Sequence, residues 1–411
     1  MHQPTQHRVV ITGTGVVSSI GVGAEEFRTG LRSGRSAVKP ISAFDIDGFA
    51  HALGCEVVDF VPERWIRRND VADLGRATQF SVSAARMAVE DAGLDLDELR
   101  ERDTLVAIGT TDGEARDLDA LVETELRDGP AAMEPRVAER VPAGRLSAAV
   151  AYEFGLTRVE TVTLPTACAA GNYAIGYGYD AIKAGDVDIA VCGGADAVCR
   201  KTFTGFYRIG TIAPERCQPF DRNRRGILTG EGAGVLILES LESALARGAR
   251  IYAEVLGFGL NCDAHHPVAP DEDSIVSCMR LALDNAGVEP ADVDFISAHG
   301  TGTRANDVTE ARAVRRVFGP DTAPPTISMK SMLGHTMGAA SAMASIGCVL
   351  AITDGFIPPT VNHVETDPEC GLDCVPNQAV AARSRVVQNN GFAFGGNNAV
   401  VIYGEYARET V

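Results

Sequence analysis

One plan of chain occurs twice. The segments "RMAVEDAGLDLDELRERDTLVAIGTTDG" (86–113) and "RLALDNAGVEPADVDFISAHGTGT" (280–303) share an amphipathic helix, an Ala-Gly stop, an acidic connector, an apolar strand and a Gly/Thr turn. One supersecondary unit therefore occurs twice. Strand-like runs fall at 8–12, 104–109, 160–164 and 188–193, then at 251–257, 293–298, 326–329, 386–390 and 398–403, with helical patterns between them; 104–109 and 293–298 are the strands of the two copies. Strands alternating with helices predict α/β layering around buried sheets. The break between halves is expected near 245–255, after "LESALARGAR", dividing the chain into 1–250 and 251–411.

With 411 residues and 45% hydrophobic content the chain can bury a large core. A net charge of −18 argues against nucleic acid, whose phosphates need a basic face. The ten cysteines show no CxxC pair and no His-rich spacing, and no signal peptide precedes the first strand. Free thiols in a reducing cytoplasm and no bound metal are therefore expected. The uncharged run "TMGAASAMASIGCVLAIT" (336–353) is short for a membrane span and rich in small residues, so it predicts a buried helix rather than a membrane segment. An acidic protein meets an anionic partner through local basic patches, here Arg64, Arg67 and Arg68 or Arg200, Lys201 and Arg208.

In "TVTLPTACAAGNYAIGYGYDAI" (161–182) one cysteine, Cys168, follows a short strand and a Pro-Thr turn and opens a helix. A lone cysteine usually packs as a small hydrophobe. This one sits at a helix N-terminus among alanines and a glycine, where the dipole favours thiolate and a substrate has room to approach. On that reading Cys168 is the cysteine that iodoacetamide alkylates fastest. Partners for it lie in three Gly-rich segments at strand ends, the usual place for reactive groups in α/β sheets. They are His299 in "SAHGTGTRANDVTE", Lys330 and His335 in "ISMKSMLGHTMGAA", and Phe394 in "NNGFAFGGNNAVVIY".

The motifs "TACAAG", "AHGTGT…D..E", "KSMLGH" and "GFAFGG", in that order, resemble the β-ketoacyl-acyl carrier protein synthases, the condensing enzymes of fatty-acid and polyketide assembly. The likeness runs from "RVVITGTGVVSSIG" to "GGNNAVVIYGEY". It implies a thiolase fold, a five-layered α-β-α-β-α sandwich of two similar halves, and a dimer. It implies Cys168 as acylated nucleophile, His299 and His335 as the two active-site histidines, and Lys330 as the family lysine, paired with Glu310. Asp307 and Glu310 match supporting acids, and Thr301 and Thr303 match threonines that contact a phosphopantetheine arm. Phe394, with Gly395 and Gly396, matches the gate, and the backbone N–H groups of Cys168 and Phe394 match the oxyanion hole. The implied reaction is decarboxylative condensation with malonyl-acyl carrier protein, using no cofactor beyond the carrier's arm.

Departures from the fatty-acid pattern include Gly302, Arg304 and Asn306, Ala393 and Asn397, Val268 in the loop facing the gate, and Gly210 where a basic carrier contact is frequent. They lean toward a type II polyketide ketosynthase subunit. That subunit would pair with a chain-length-factor-like partner, where a fatty-acid enzyme would form a homodimer. A coenzyme A thiolase would carry a second cysteine in a Cys-x-Gly context where this chain has "GFAFGG", and a non-catalytic partner subunit would lack Cys168.

Overall fold

The computed structural model describes residues 7–407. Five strands of the first half are β1 (Val9–Ser18), β2 (Thr104–Gly109), β3 (Val159–Leu164), β4 (Ile189–Asp196) and β5 (Gly232–Ser240). Five of the second are β6 (Ala253–Cys262), β7 (Phe295–Ser297), β8 (Thr326–Ile327), β9 (Val386–Phe392) and β10 (Asn397–Gly404). Hydrogen bonding orders the first set β3-β2-β4-β5-β1 and the second β8-β7-β9-β10-β6. The two orders are the same, and so are the directions. β2 runs parallel to β3 and β4, as β7 does to β8 and β9, while β5 and β10 run antiparallel to both their neighbours. β1 and β6 join the halves through a three-residue antiparallel ladder, Val9–Ile11 against Val255–Ala253.

Side-chain alternation along the strands builds the layers. In β5, Val235 and Ile237 join an outer cluster with helices α1 (Arg76–Asp91) and α2 (Arg145–Phe154), while Leu236 and Leu238 face inward. In β10, Val400 and Ile402 pack outward with α5 (Glu272–Ala286) and α6 (Arg304–Phe318), while Val401 and Tyr403 face inward. Both inward faces close on two central helices, α3 (Ala170–Ala184) and α7 (Ala340–Asp354). The result is the helix, sheet, helix, sheet, helix sandwich. A period of two with both faces apolar is what a strand buried on both sides requires. The stretch Met337–Asp354 is apolar and long enough to cross a bilayer, yet 89% of it is buried inside the fold. It serves as a core helix.

β5 has no counterpart among the expected strands, although it lies in the middle of its half-sheet. Its run "GAGVLILES" passes straight into a helix, Leu241–Ala246, whose N-cap is Ser240, accepting from the Ser243 N–H. No turn residue separates the two, and a short continuous apolar run reads as strand or helix equally well. The chain then crosses between halves through residues 247–252.

Candidate active site

From β3 the chain turns through Pro165 and Thr166 into a 3-10 turn, Ala167–Ala169, that opens α3. Ala167 has φ +52°, a left-handed conformation that an alanine holds only when its surroundings impose it. The turn sets Cys168 in the wall of a cavity of about 100 Å³. Two influences oppose each other at the expected helix-end thiolate. Burial pushes the Cys168 pKa up to about 12, the charge of Lys330 and the Phe394 backbone N–H pull it down, and the carboxylates Asp196 and Asp112 push it further up. Cys168 is only 5% exposed, so desolvation opposes the thiolate that the helix terminus favours. Among the ten free cysteines the exposed one is Cys262, whose sulfur lies 3.6 Å from the Gly395 carbonyl at the cavity's edge. Iodoacetamide is therefore expected to alkylate Cys262 first, and a cerulenin-like electrophile with an acyl tail to alkylate Cys168 first. Peptide mapping after each reagent checks both, and first labelling of Cys168 by iodoacetamide would restore the thiolate reading.

His299 follows β7, and His335 lies between Gly334 and the turn that opens α7; their rings stand 5.5 Å apart, nearly perpendicular, beside Cys168. Their hydrogen bonds assign their protons. The Nδ1 of His335 accepts from the Met337 backbone N–H at 3.1 Å, and the Nδ1 of His299 faces the Lys330 ammonium at 3.5 Å. An Nδ1 that accepts leaves the proton on Nε2, so each ring is an N–H donor at Nε2. Burial first, and then the Lys330 charge, hold both pKa values well below the ordinary histidine value, so both rings are neutral.

Lys330 meets Glu310 through charge and not through contact: burial lowers the Lys330 pKa, and the Glu310 charge is the largest influence that raises it. Its ammonium donates to the His299 carbonyl at 2.6 Å, and no ion pair joins it to Glu310. Glu310 instead accepts from the backbone N–H groups of His299 and Gly300, both at 2.8 Å, and from the Asn390 amide at 3.0 Å. Asp307 accepts from the N–H groups of Thr301, Gly302 and Phe220 at 3.0, 3.2 and 2.9 Å. The two acids are fully buried and knot the 299–302 loop to α6. That loop is what aims His299. Thr301 and Thr303 line the cavity with their hydroxyls 2.9 Å apart.

Phe394 forms the outer wall, with its backbone N–H directed at the Cys168 sulfur and its ring 5.4 Å from that of Phe206. The Gly395 N–H donates to the Pro267 carbonyl and the Asp263 N–H to the Gly396 carbonyl, both at 2.9 Å, which fastens this wall to the 263–270 loop. In that loop the His266 Nδ1 accepts from the Val268 and Ala269 N–H groups at 3.0 and 2.9 Å. Phe206, His266 and Asn390 were not among the expected site residues. Phe206 lies in "FTGFYRIG", a stretch singled out only for its charge.

The basic clusters are partly engaged. Arg200, in α4 (Arg200–Arg208), lies over the Phe44 and Phe49 rings and donates to the Asp45 carbonyl, while Lys201 pairs with Asp112 at 2.7 Å. Arg67 pairs with Glu90 at 3.3 Å, and Arg68 stacks on Tyr152. Arg208 is exposed on the side of α4.

The profile of the beta-ketoacyl synthase N-terminal domain matches residues 6–244, and that of the C-terminal domain matches residues 252–364. Nodulation protein E of Rhizobium sp. (strain N33) is 39% identical over 407 residues, which cover 96% of this chain and 98% of that protein. The 3-oxoacyl-[acyl-carrier-protein] synthase 2 of Synechocystis sp. is 36% identical over 409 residues, covering 97% and 98%. Among solved structures, a chain of the ishigamide ketosynthase/chain length factor superposes with a TM-score of 0.97 at 60% identity, covering 98% of this chain and 100% of that one. A chain of AntDE:AntF, a type II polyketide acyl-carrier protein in complex with its ketosynthase, superposes with a TM-score of 0.89 at 30% identity, covering 98% and 100%. Its mirrored half-sheets, its Cys-His-His cavity and matches across nearly its whole length make this chain a member of the β-ketoacyl synthase family.

Proposed function

We propose that this chain condenses an acyl group held on Cys168 with a malonyl group on acyl carrier protein, releasing CO₂ and giving 3-oxoacyl-acyl carrier protein. The observation that carries this is the convergence on one cavity of a buried thiol, two neutral imidazoles with Nε2 donors and the Phe394 backbone N–H. The first half, 1–250, brings the nucleophile, and the second, 251–411, brings both histidines and Lys330.

In the first step the Cys168 sulfur attacks the acyl thioester, the carrier thiol leaves, and the cysteine proton ends on it. The oxyanion of the adduct lies between the N–H groups of Cys168 and Phe394. In the second step malonyl thioester loses CO₂, and the enolate oxygen takes hydrogen bonds from His299 and His335. Neutral donors are required there, since a charged imidazolium would protonate the enolate. The enolate carbon then attacks the acyl carbonyl and expels Cys168 as a thiolate, which carries the charge of the lost carboxylate and takes a proton from water. Loss of CO₂ drives the bond formation, so the step calls for no redox or metal partner. Burial, helped by the Lys330 charge, keeps the imidazoles neutral, and Thr301 and Thr303 are assigned to the pantetheine arm.

The 60% identity with the ishigamide ketosynthase/chain length factor supports polyketide elongation, with this chain as the catalytic subunit of a heterodimer. Homodimeric fatty-acid elongation is the second reading, favoured by the synthase 2 relatives. Free thiols throughout the chain fit a cytoplasmic setting. Incubation with acyl- and malonyl-carrier proteins, alone and with a coexpressed chain-length-factor-like subunit, is expected to acylate Cys168 and yield a two-carbon extension. Acylation from coenzyme A thioesters alone would favour a thiolase, and no acylation at Cys168 would overturn the reading.

Phe394 is assigned as the gate that admits the acyl chain. Gly395 next to it has φ +86°, a conformation that a β-branched residue resists. Gly395→Val is expected to slow acyl transfer to Cys168 by about tenfold while malonyl decarboxylation falls less than about threefold. Measuring the half-reactions separately checks this; equal losses would remove the gate assignment.

A further inference from the structure

The turn that carries His335 is the counterpart of the one that carries Cys168. Thr166 (φ −96°, ψ 33°) precedes the Ala167–Ala169 turn and α3; Thr336 (φ −87°, ψ 29°) precedes the Met337–Ala339 turn and α7. Ala167 and Met337 share a positive φ, +52° and +50°, and both helices run 15 residues to a left-handed glycine, Gly185 and Gly355. The correspondence places Gly338 where the first half has Cys168. At Cys168 the backbone N–H is assigned above to an oxyanion. At Gly338 the same N–H already donates to a carboxyl oxygen of Asp196, at 2.6 Å; burial and the Asp112 charge push the pKa of that carboxyl up to about 7.

Asp196 ends β4 and is fully buried. Its carboxylate also accepts from the Thr111 N–H at 2.7 Å, the Thr110 hydroxyl at 2.7 Å and the Asp112 N–H at 3.0 Å, all at the end of β2. It therefore clamps the turn of the second half to a strand end of the first. The contact leaves no slack: a Cβ on Gly338 would lie 2.5 Å from the Thr110 Cα. The other side of the turn is held at the backbone of His335, which donates to the Leu228 carbonyl at 2.6 Å and accepts from the Gly230 N–H at 2.9 Å. Between these anchors lies Met337, whose N–H sets the His335 tautomer.

We infer that Asp196 is a positioning residue for His335: by holding the Gly338 N–H it keeps the Met337 N–H on Nδ1 and so keeps the Nε2 proton aimed at the enolate. The inference rests on the role given to His335 under the proposed function. A buried carboxylate with four donors specifies one arrangement of the groups around it, whereas an amide of the same shape must point N–H at N–H. Asp196 also has a second, opposite effect, since its charge raises the Cys168 pKa.

Asp196→Asn is therefore expected to split the half-reactions. Malonyl decarboxylation should fall about tenfold or more, while acyl transfer to Cys168 stays within about threefold or rises. Thr110→Val, which removes one donor at constant shape, should produce a smaller fall in decarboxylation only. In a His335→Ala background Asp196→Asn should cost less than about twofold further, because the group it positions is gone. Equal loss of both half-reactions, undiminished decarboxylation in a folded Asp196→Asn protein, or full additivity with His335→Ala would overturn the inference. If Asp196→Asn does not fold, Thr110→Val decides: a selective fall supports positioning, and unchanged decarboxylation overturns it. His335→Ala alone guards the premise, because decarboxylation that survives it would remove the role of His335 itself.

Discussion

Cys168→Gln is expected to abolish condensation, by about 10³-fold or more, while decarboxylation of malonyl-carrier protein persists at or above the wild-type rate. The glutamine amide has roughly the shape of an acyl thioester, and its carbonyl can take the Cys168 and Phe394 backbone N–H groups that the acyl carbonyl would use. Neither imidazole depends on the sulfur for its proton: His335 is set by Met337 and His299 by Lys330. Substitution of the thiol therefore leaves the enolate donors in place and presents them with a site that mimics its acylated form. Condensation and CO₂ release are measured side by side on protein whose thermal transition matches wild type. Loss of both activities in a folded variant would mean that the sulfur itself takes part in decarboxylation.

Replacing either histidine by alanine should do the reverse. Acyl transfer to Cys168 should survive, and decarboxylation should fall by about 10²-fold or more, the scale of losing one donor to a developing oxyanion. The two variants differ in their side effects. His335→Ala leaves the Met337 N–H without its acceptor, a structural cost of about 1–3 kcal/mol, whereas His299→Ala keeps the backbone carbonyl that holds Lys330. Asparagine at either position, which retains an N–H donor, should recover part of the rate. Acyl-enzyme formation by mass spectrometry and CO₂ release decide between the assignments. Decarboxylation that survives in both alanine variants would show that the enolate is stabilised elsewhere.

The repeat noticed at 86–113 and 280–303 covers only part of the internal symmetry. A second echo, 166–185 against 336–355, runs from threonine to glycine over the same length and carries the two central helices. It escapes a reading by residue type because Cys168 faces Gly338, and Asn172 and Tyr173 face Ala342 and Met343. What the copies share is backbone conformation. β5 escapes for a related reason, since its burial on both faces erases the alternation that marks a strand at a surface.

The order of motifs and the position of Cys168, His299, Lys330 and His335 at turns were legible in the sequence, because glycine turns at strand ends and reactive side chains beside them are local features. Protonation was not. The helix terminus predicted a thiolate at Cys168, and the burial that opposes it is supplied by the packed fold. The Lys330–Glu310 pairing holds only as an interaction of charges, since the hydrogen bonds of Glu310 go to two backbone N–H groups and Asn390, and that of Lys330 to the His299 carbonyl. Desolvation and hydrogen-bond choice depend on neighbours brought from far along the chain, as Asp196 is brought to Gly338 across 142 residues. Local pattern places a side chain on its turn, and only the packed sandwich decides what charge it carries and which partner it keeps.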